Sequence, residues 1–522
     1  MLGTWMAPDG MNRKSAVVSV SLGAFKTTDL SCPAANALKA RGFASVRPAG
    51  RAKERLEDFT FAPLMRALDA ERKDPAAAEF TSWGRPQHDG LREWTKHART
   101  MYRNAFPLHE DEGLSDLPEN WSYRYQPPKP DHRGAHEYRI KVWGRCLVSA
   151  SGDLRELRVP VNRLREPRPD DGYIAAAALV LAEGAPGPLP TRVRVVEFAL
   201  LDGATRVLFD GTRHEAVARY RAHGSQALED ILDSQEYRPG PACSSCAYIS
   251  DCPALRRAPG VLGLPAKGRT RRTWSVTNGR SYRECPARDH MRRLHLPTAD
   301  GIERHPSAER GRAVHAYLAW RHGSGAIRPC PADVPAQWVP DGYELPAEER
   351  ELGRTLLRRH AAVCPMPYVV NRSDIRTEPR IVRHDSDADV IVIASPDLVY
   401  RDGDSWVWRE TKTSATARRH LDDPLVTYPQ LALAVALLSR GHLGGTAARA
   451  RIELEVLSPG GADLRTIDPF SSRNVETAGK VLQELTTAWH VDSDYTPNPT
   501  ANCTRCEVAR WCTAGHRKNE AA

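Results

Sequence analysis

Two apolar runs stand at matching places in the chain. Tyr173-IAAAALVLAEG and Tyr428-PQLALAVALLSRG each read as a buried helix that stops at a glycine. Behind each comes a stretch of two alternating segments around a turn, TRVRVVEFALLDGATRVLFDG (Thr191–Gly211) and ARARIELEVLSPGGADLRTID (Ala448–Asp468), which predict strand pairs. Ahead of the second helix, DVIVIA is β-branched and predicts a strand, Asp402-Gly403 is a hairpin turn signal, and SWVWRETK alternates. Trp406, Trp408, Glu410 and Lys412 therefore share one face of a strand. VWGRCLVSASGDLRELRVPVN (Val142–Asn162) takes the same place in the first half. GRAVHAYLAW, from Gly311, opens a further helix, whereas Glu71–Arg133 has no clear period. Strands alternating with helices predict an α/β fold.

The cysteines repeat the same layout. Cys32 precedes Cys243, Cys246 and Cys252; Cys285 precedes Cys503, Cys506 and Cys512. Each trio is Cys-x2-Cys-x5-Cys, each lone cysteine precedes a proline (Pro33, Pro286), and Tyr237-Arg-Pro239 and Tyr495-Thr-Pro497 stand before the trios. Four thiolates suit a tetrahedral metal or an iron–sulfur cluster, and the spacing leaves zinc and iron–sulfur both open. The repetition predicts an internal duplication with a metal-stapled clasp in each half. Cys146, Cys330 and Cys364 fall outside both sets and read as ordinary buried thiols.

A length of 522 residues predicts more than one domain. The Gly-, Pro- and Arg-rich segment Arg256–Arg272 marks a linker, giving domains 1–260 and 273–522 around residues 261–272. No apolar run is long enough to span a bilayer and the N-terminus lacks a signal pattern, so the expectation is a cytoplasmic protein with no membrane partner. In that compartment regularly spaced cysteines point to metal rather than disulfides. The net charge of +9 fits an anionic partner such as nucleic acid, and fits equally an arginine-rich composition. Lysine is scarce: there are 12, and between Lys267 and Lys480 only Lys412. A lysine where the chain otherwise writes arginine suggests a position that needs a compact ammonium.

Hairpin pairing brings Asp397 near Glu410 and Lys412. Two carboxylates and an ammonium at strand ends are suited to Mg²⁺ or Mn²⁺ and to phosphate chemistry, the lysine assisting a water or the charge on the phosphoryl oxygens. Taken alone, a Glu-x-Lys pair is a surface salt bridge. Here Ser395-Pro396-Asp397 and, further along, Glu410-Thr411-Lys412 form the Pro-Asp…Glu-x-Lys pattern. Gly311 lies one turn before His315 and leaves room beside its ring. Gln430, on an otherwise apolar helix, is costly to bury without partners and points to a site-facing amide.

These residues together resemble the PD-(D/E)XK nuclease superfamily, in its RecB/AddB-like branch with an iron–sulfur clasp. The resemblance runs from Thr273 to the C-terminus and includes SVTNGRSYRECPARDHMRRLHLP, which looks like that branch's helix bearing the first cluster cysteine. It implies metal ligation by His315, Asp397, Glu410 and the backbone carbonyl of Thr411, catalysis assisted by Lys412, and Tyr428 and Gln430 as the motif of the following helix. It implies [4Fe–4S] ligation by Cys285, Cys503, Cys506 and Cys512, and the duplication extends a second cluster to Cys32, Cys243, Cys246 and Cys252. The fold expected is thus two tandem restriction-endonuclease-like α/β domains, each with a central mixed sheet flanked by helices.

The first half reads as a copy without the chemistry. Cys146-Leu147 stands where the aspartate is expected, Glu156-Leu-Arg158 where Glu-x-Lys is expected, and Ala175 where the glutamine is expected; His97 is the weak counterpart of His315. Its arginine run Arg163–Arg168 is a candidate phosphate contact. The function expected is a metal-dependent DNA nuclease, exonuclease-like, acting on single strands or ends in repair, recombination or phage defence. There is no P-loop, so a helicase or defence-system partner would supply any motor. Two other readings are a cluster-bearing nucleic-acid scaffold without turnover and a redox sensor. Retention of His315, Asp397, Glu410, Lys412 and Gln430 argues against the scaffold.

Overall fold

The structure, a computed structural model, describes residues 5–26, 31–46, 54–56, 59–73, 86–107, 113–117, 121–168, 171–184, 187–264, 270–299, 305–324, 327–416, 422–499 and 503–515. It is a mixed α/β protein built around two five-stranded sheets.

In the first half, helix α1 (Pro33–Ala40) begins directly after Cys32, with Pro33 in its first turn. Helix α2 (Asp89–Ala105) precedes the strands β1 (Leu114–Leu117), β2 (Arg145–Ser149) and β3 (Leu154–Val161). Helix α3 (Gly172–Glu183) follows, then β4 (Arg192–Ala199) and β5 (Thr205–Thr212). The sheet order is β5-β4-β3-β2-β1; only the β3–β4 pair is parallel, joined by the crossover through α3.

The second half opens with the short strands β6 (Arg256–Arg257) and β7 (Arg272–Trp274). Helices α4 (Val276–Glu284), α5 (Pro286–Arg293), α6 (Pro306–Gly323) and α7 (Ala347–His360) come next. Then follow β8 (Ile375–Thr377), β9 (Ile381–Asp385), β10 (Val390–Ala394), β11 (Leu398–Asp402) and β12 (Ser405–Thr413). Helix α8 (Pro429–Ser439), strands β13 (Arg451–Ser458) and β14 (Gly461–Ile467) and helix α9 (Ser472–Val491) complete it. The main sheet runs β8-β11-β12-β13-β14, with β12–β13 the one parallel pair. Order and directions are those of the first-half sheet. Gly403, at φ 60°, turns β11 into β12 in a conformation that a side chain at this position would disfavour.

Both crossover helices are apolar on every side because both are covered on every side. All residues from Tyr173 to Ala182, and from Leu431 to Leu438, are buried. Helix α3 packs on Leu157 and Val159 of β3, and α8 packs on Trp406 and Trp408 of β12.

The segment expected as a linker is partly structural. Ala258, Val261, Leu262 and Leu264 are buried in the second-half core, β6 pairs in parallel with β9, and the Asp385 carboxylate accepts from the N–H groups of Gly260 (2.9 Å) and Leu262 (2.9 Å). The signal lay in those four apolar residues, masked by their Gly, Pro and Arg neighbours. The rest of that linker, residues 265–269, lies outside the described residues.

Each cysteine trio packs against the opposite half. Cys243, Ile249 and Leu255 share a core with Val382 and Ile391 of β9 and β10. Trp511 meets Trp94 of α2 edge-on at 4.8 Å and joins a core with Leu91, Ala98 and Phe198. Among the described residues no helix is long and apolar enough to cross a membrane.

Candidate active site and cysteine clasps

Strand geometry builds the site. Leu398 pairs with Arg409, so Asp397, one residue before β11, stands opposite Glu410. Alternation then sets Glu410 and Lys412 on the face of Trp408, toward α8. The Trp408 indole N–H donates to Glu410 Oε1 (3.1 Å) and Lys412 Nζ donates to Oε2 (3.0 Å). Lys412 Nζ is also 3.8 Å from Asp397 Oδ2, which accepts the Thr411 backbone N–H at 2.7 Å. Helix α6 supplies His315, whose Nδ1 is 2.9 Å from Asp397 Oδ1. A Cβ on Gly311 would meet Thr413 Oγ1 at 3.4 Å, an ordinary contact, so α6 lies against the end of β12 at this point.

The charges are arranged around Asp397. Burial pushes its carboxyl up, but the His315 hydrogen bond and the charges of His315 and Lys412 outweigh that and hold it below the usual range. Glu410 goes the other way: burial and the Asp397 charge raise its carboxyl to about 7, against the opposing pull of Lys412. Burial works to lower Lys412 and His315; the carboxylates prevail and raise both. Two acids driven apart in acidity beside a cation are a pattern of functional sites. Glu410 side-chain exposure is 4%, while Asp397 and Lys412 remain 23% and 25% exposed, so the group opens to solvent on the Asp397 side.

Tyr428 precedes the first turn of α8, near Lys412, and Gln430 sits half-buried in the first turn of the same helix. The structure thus brings His315, Asp397, Glu410, Thr411 and Lys412 into one group, with Tyr428 beside it.

In the first half the residues expected as counterparts of the carboxylate and the lysine turn away from the crossover helix. Cys146 pairs with Leu157, and Leu147 with Glu156. Leu157 and Val159, not Glu156 and Arg158, face the crossover helix. Glu156 and Arg158 point to the other side, where Glu156 pairs with Arg158 (2.5 Å) and Arg194 and the Arg158 guanidinium lies over Phe106. A one-residue offset inverts which face each side chain takes, and sequence similarity alone does not detect it. His97 is not placed like His315: its Nε2 is 2.8 Å from the Leu201 carbonyl and its ring lies beside Trp511. Arg165, from the run assigned to phosphate, is ion-paired with Asp171 at 2.6 Å.

Each cysteine quartet lines its own cavity. Cys285, Cys503, Cys506 and Cys512 line one of about 570 Å³, and Cys32, Cys243, Cys246 and Cys252 one of about 410 Å³. Backbone N–H groups of Arg238, Gly240 and Tyr248 point at Cys32, Cys243 and Cys246 (3.3–3.4 Å), and that of Asn498 at Cys285 (3.4 Å). Such donors favour thiolate, while burial pushes the Cys243 and Cys506 thiols up to about 11.

A third group was not foreseen. Cys330 and Cys364 are buried, as expected, but they meet His322 and His360. The signal available was His360-x3-Cys364 at the end of a helix and Cys330 and Cys364, two of the three cysteines left over from the quartets.

Residues 273–513, just under half of the chain, match the family model of the PD-(D/E)XK nuclease superfamily. The match points to a nuclease-like function for this part of the protein, in a superfamily whose members use divalent metals and act on DNA. No curated protein matches the chain.

Proposed function

We propose that the second half is a divalent-metal-dependent deoxyribonuclease, exonuclease-like on single strands or ends, of the RecB/AddB-like branch. The observation that carries this is the convergence of His315, Asp397, Glu410 and Lys412 on one end of the β11–β12 hairpin, inside the stretch that matches the superfamily. The donor set fits Mg²⁺ or Mn²⁺: two carboxylates and an imidazole, with the Thr411 carbonyl as a further oxygen. His315, Asp397, Glu410 and Thr411 would hold the ion, which when bound polarises the scissile phosphate and acidifies a water. Lys412 keeps its proton, and its ammonium is held between the two carboxylates, where it can meet charge developing on phosphoryl oxygens. Tyr428 and Gln430, at the start of α8, would contact the water or the substrate strand.

An arginine-lined cavity supports an anionic substrate. Arg256, Arg376, Arg380, Arg383 and Arg401 line about 460 Å³ with no carboxylate among the lining residues. It also contains Trp406, which shares a strand face with Glu410 four residues away, or roughly 13 Å. A nucleic-acid strand crossing both would have its phosphates bound at one end and cleaved at the other.

The quartets would hold two [4Fe–4S] clusters; the N–H···S donors and the four-thiol cavities fit them, and bound clusters would supply cross-links between distant segments. The first half, with Cys146-Leu147 for the aspartate and with Glu156 and Arg158 turned away from the crossover helix, would act as scaffold or docking platform for DNA, or for a helicase or defence-system protein. The test is incubation of anaerobically purified protein with labelled single- and double-stranded DNA and Mg²⁺ or Mn²⁺. Cleavage lost in Asp397→Ala and Lys412→Ala supports the proposal, and equal activity in the variants refutes it.

A further inference from the structure

The geometry points to a structural zinc site, separate from the cysteine clasps, formed by His322, Cys330, His360 and Cys364. The ligand atoms all lie within 4.8 Å of one another. His322 Nε2 is 3.3 Å from Cys330 Sγ, 3.3 Å from His360 Nε2 and 4.0 Å from Cys364 Sγ. A zinc ion about 2.3 Å from thiolate sulfur and about 2.0 Å from imidazole nitrogen sets tetrahedral ligand atoms roughly 3.3–3.8 Å apart. The mixed thiolate–imidazole set selects zinc over the hard ions that suit the carboxylate site.

The tautomer of His360 is already set for ligation. Its Nδ1 lies 2.6 Å from Glu455 Oε1, a fully buried carboxylate that can only accept, so Nδ1 carries a proton and Nε2 is the ring nitrogen left to meet the other three residues. A carboxylate behind a ligating histidine is the usual support of a zinc site. Here the same carboxylate reaches the candidate active site, because Glu455 Oε2 accepts the Thr411 hydroxyl at 3.0 Å and the Thr411 N–H donates to Asp397. His322 lies two turns after His315 on α6. The zinc would thus fasten the end of the helix that carries His315, and the end of α7, to the strand that carries Glu410.

The site also explains an irregular stretch. Between α6 and α7 the described residues 327–346 contain no helix or strand, yet Val334, Trp338 and Leu345 are buried. Long structureless connections inside a compact fold need a fastening, and Cys330 lies near the start of this one.

The experiment is zinc content and zinc X-ray absorption on the full chain, for wild type, for Cys330→Ser/Cys364→Ser and for Cys252→Ser/Cys512→Ser. We expect about one zinc per chain with a shell of two nitrogens and two sulfurs, lost in the first variant and kept in the second. Glu455→Gln should weaken zinc by roughly 10–100-fold in chelator competition, a shift that a purely packing role would not produce. Folded wild type without a two-nitrogen, two-sulfur zinc overturns the proposal, as does undiminished zinc in the first variant or a Cys330–Cys364 disulfide. Should the first variant fail to fold, the wild-type spectrum decides. None of these readouts depends on nuclease activity, so the site and the proposed function can fail separately.

Discussion

His315 Nδ1 lies 2.9 Å from Asp397 Oδ1, joining a helix to a strand 82 residues further along the chain. This contact, with the Thr411 N–H on the other oxygen, fixes Asp397 before any ion arrives. Removing the imidazole should therefore raise the Mn²⁺ concentration needed for cleavage. We expect the midpoint of the metal titration to move up by about tenfold or more in His315→Ala. Gly311→Ala should leave it within a few-fold, since the added methyl meets Thr413 at ordinary contact distance. An unchanged midpoint in His315→Ala would remove the histidine from the ligand set.

Glu54 ties the halves together. Its carboxylate is 2.7 Å from Arg272 and 3.6 Å from Arg293, and it accepts the Tyr495 hydroxyl at 2.9 Å. Burial pushes this carboxyl up, but Arg293, Arg272 and Tyr495 outweigh it and hold it below the usual value. A depressed folded-state carboxylate contributes stability that is complete above its unfolded pKa of about 4.3 and fades as pH falls through the folded value. Glu54→Gln should cost roughly 3 kcal/mol at neutral pH, because it removes the carboxylate paired with the buried Arg272. The deficit should shrink in acid, and denaturant unfolding at pH 7 and pH 3 measures both.

The crossed packing of the clasps makes a cooperative unit. Trp511 of the second clasp sits against Trp94 of the first half, and Cys243 of the first clasp against Ile391 of the second. If each quartet holds a cluster, as proposed, loss of one should loosen both halves. In Cys512→Ser we expect lowered protection from hydrogen exchange in α2 as well as around Cys285. Protection changes confined to the C-terminal residues would show that the clasps act locally.

Arg376 and Arg401 both lie over the ring of Trp406, at 4.6 and 4.9 Å. If their cavity binds phosphate, Arg376→Ala/Arg401→Ala should weaken DNA binding equally across sequences. The slope of log K against log salt should fall by about 1 for each phosphate that these arginines neutralise in the wild type. An unaltered salt slope would take DNA off this surface.

The sequence carried much of this, for identifiable physical reasons. The apolar helices α3 and α8 and the strand pairs after them were legible because burial on all sides leaves a continuous apolar signal. Asp397, Glu410 and Lys412 were legible because strand period and hairpin pairing convert spacing into proximity. His322 and His360 were not, since their partners come from a loop with no period. Nor was the facing of Glu156, which depends on which face of β3 the crossover helix covers. The core role of Ala258, Val261 and Leu262 was hidden by linker-like neighbours.

The most direct measurement is cleavage of labelled DNA by purified protein in Mn²⁺ or Mg²⁺, with Lys412→Ala and Asp397→Ala in parallel. The account predicts metal-dependent cleavage by wild type, a fall of roughly 10²–10³-fold in Lys412→Ala, and no detectable turnover in Asp397→Ala. Cleavage that persists undiminished in both variants, or that proceeds without divalent metal, would contradict it.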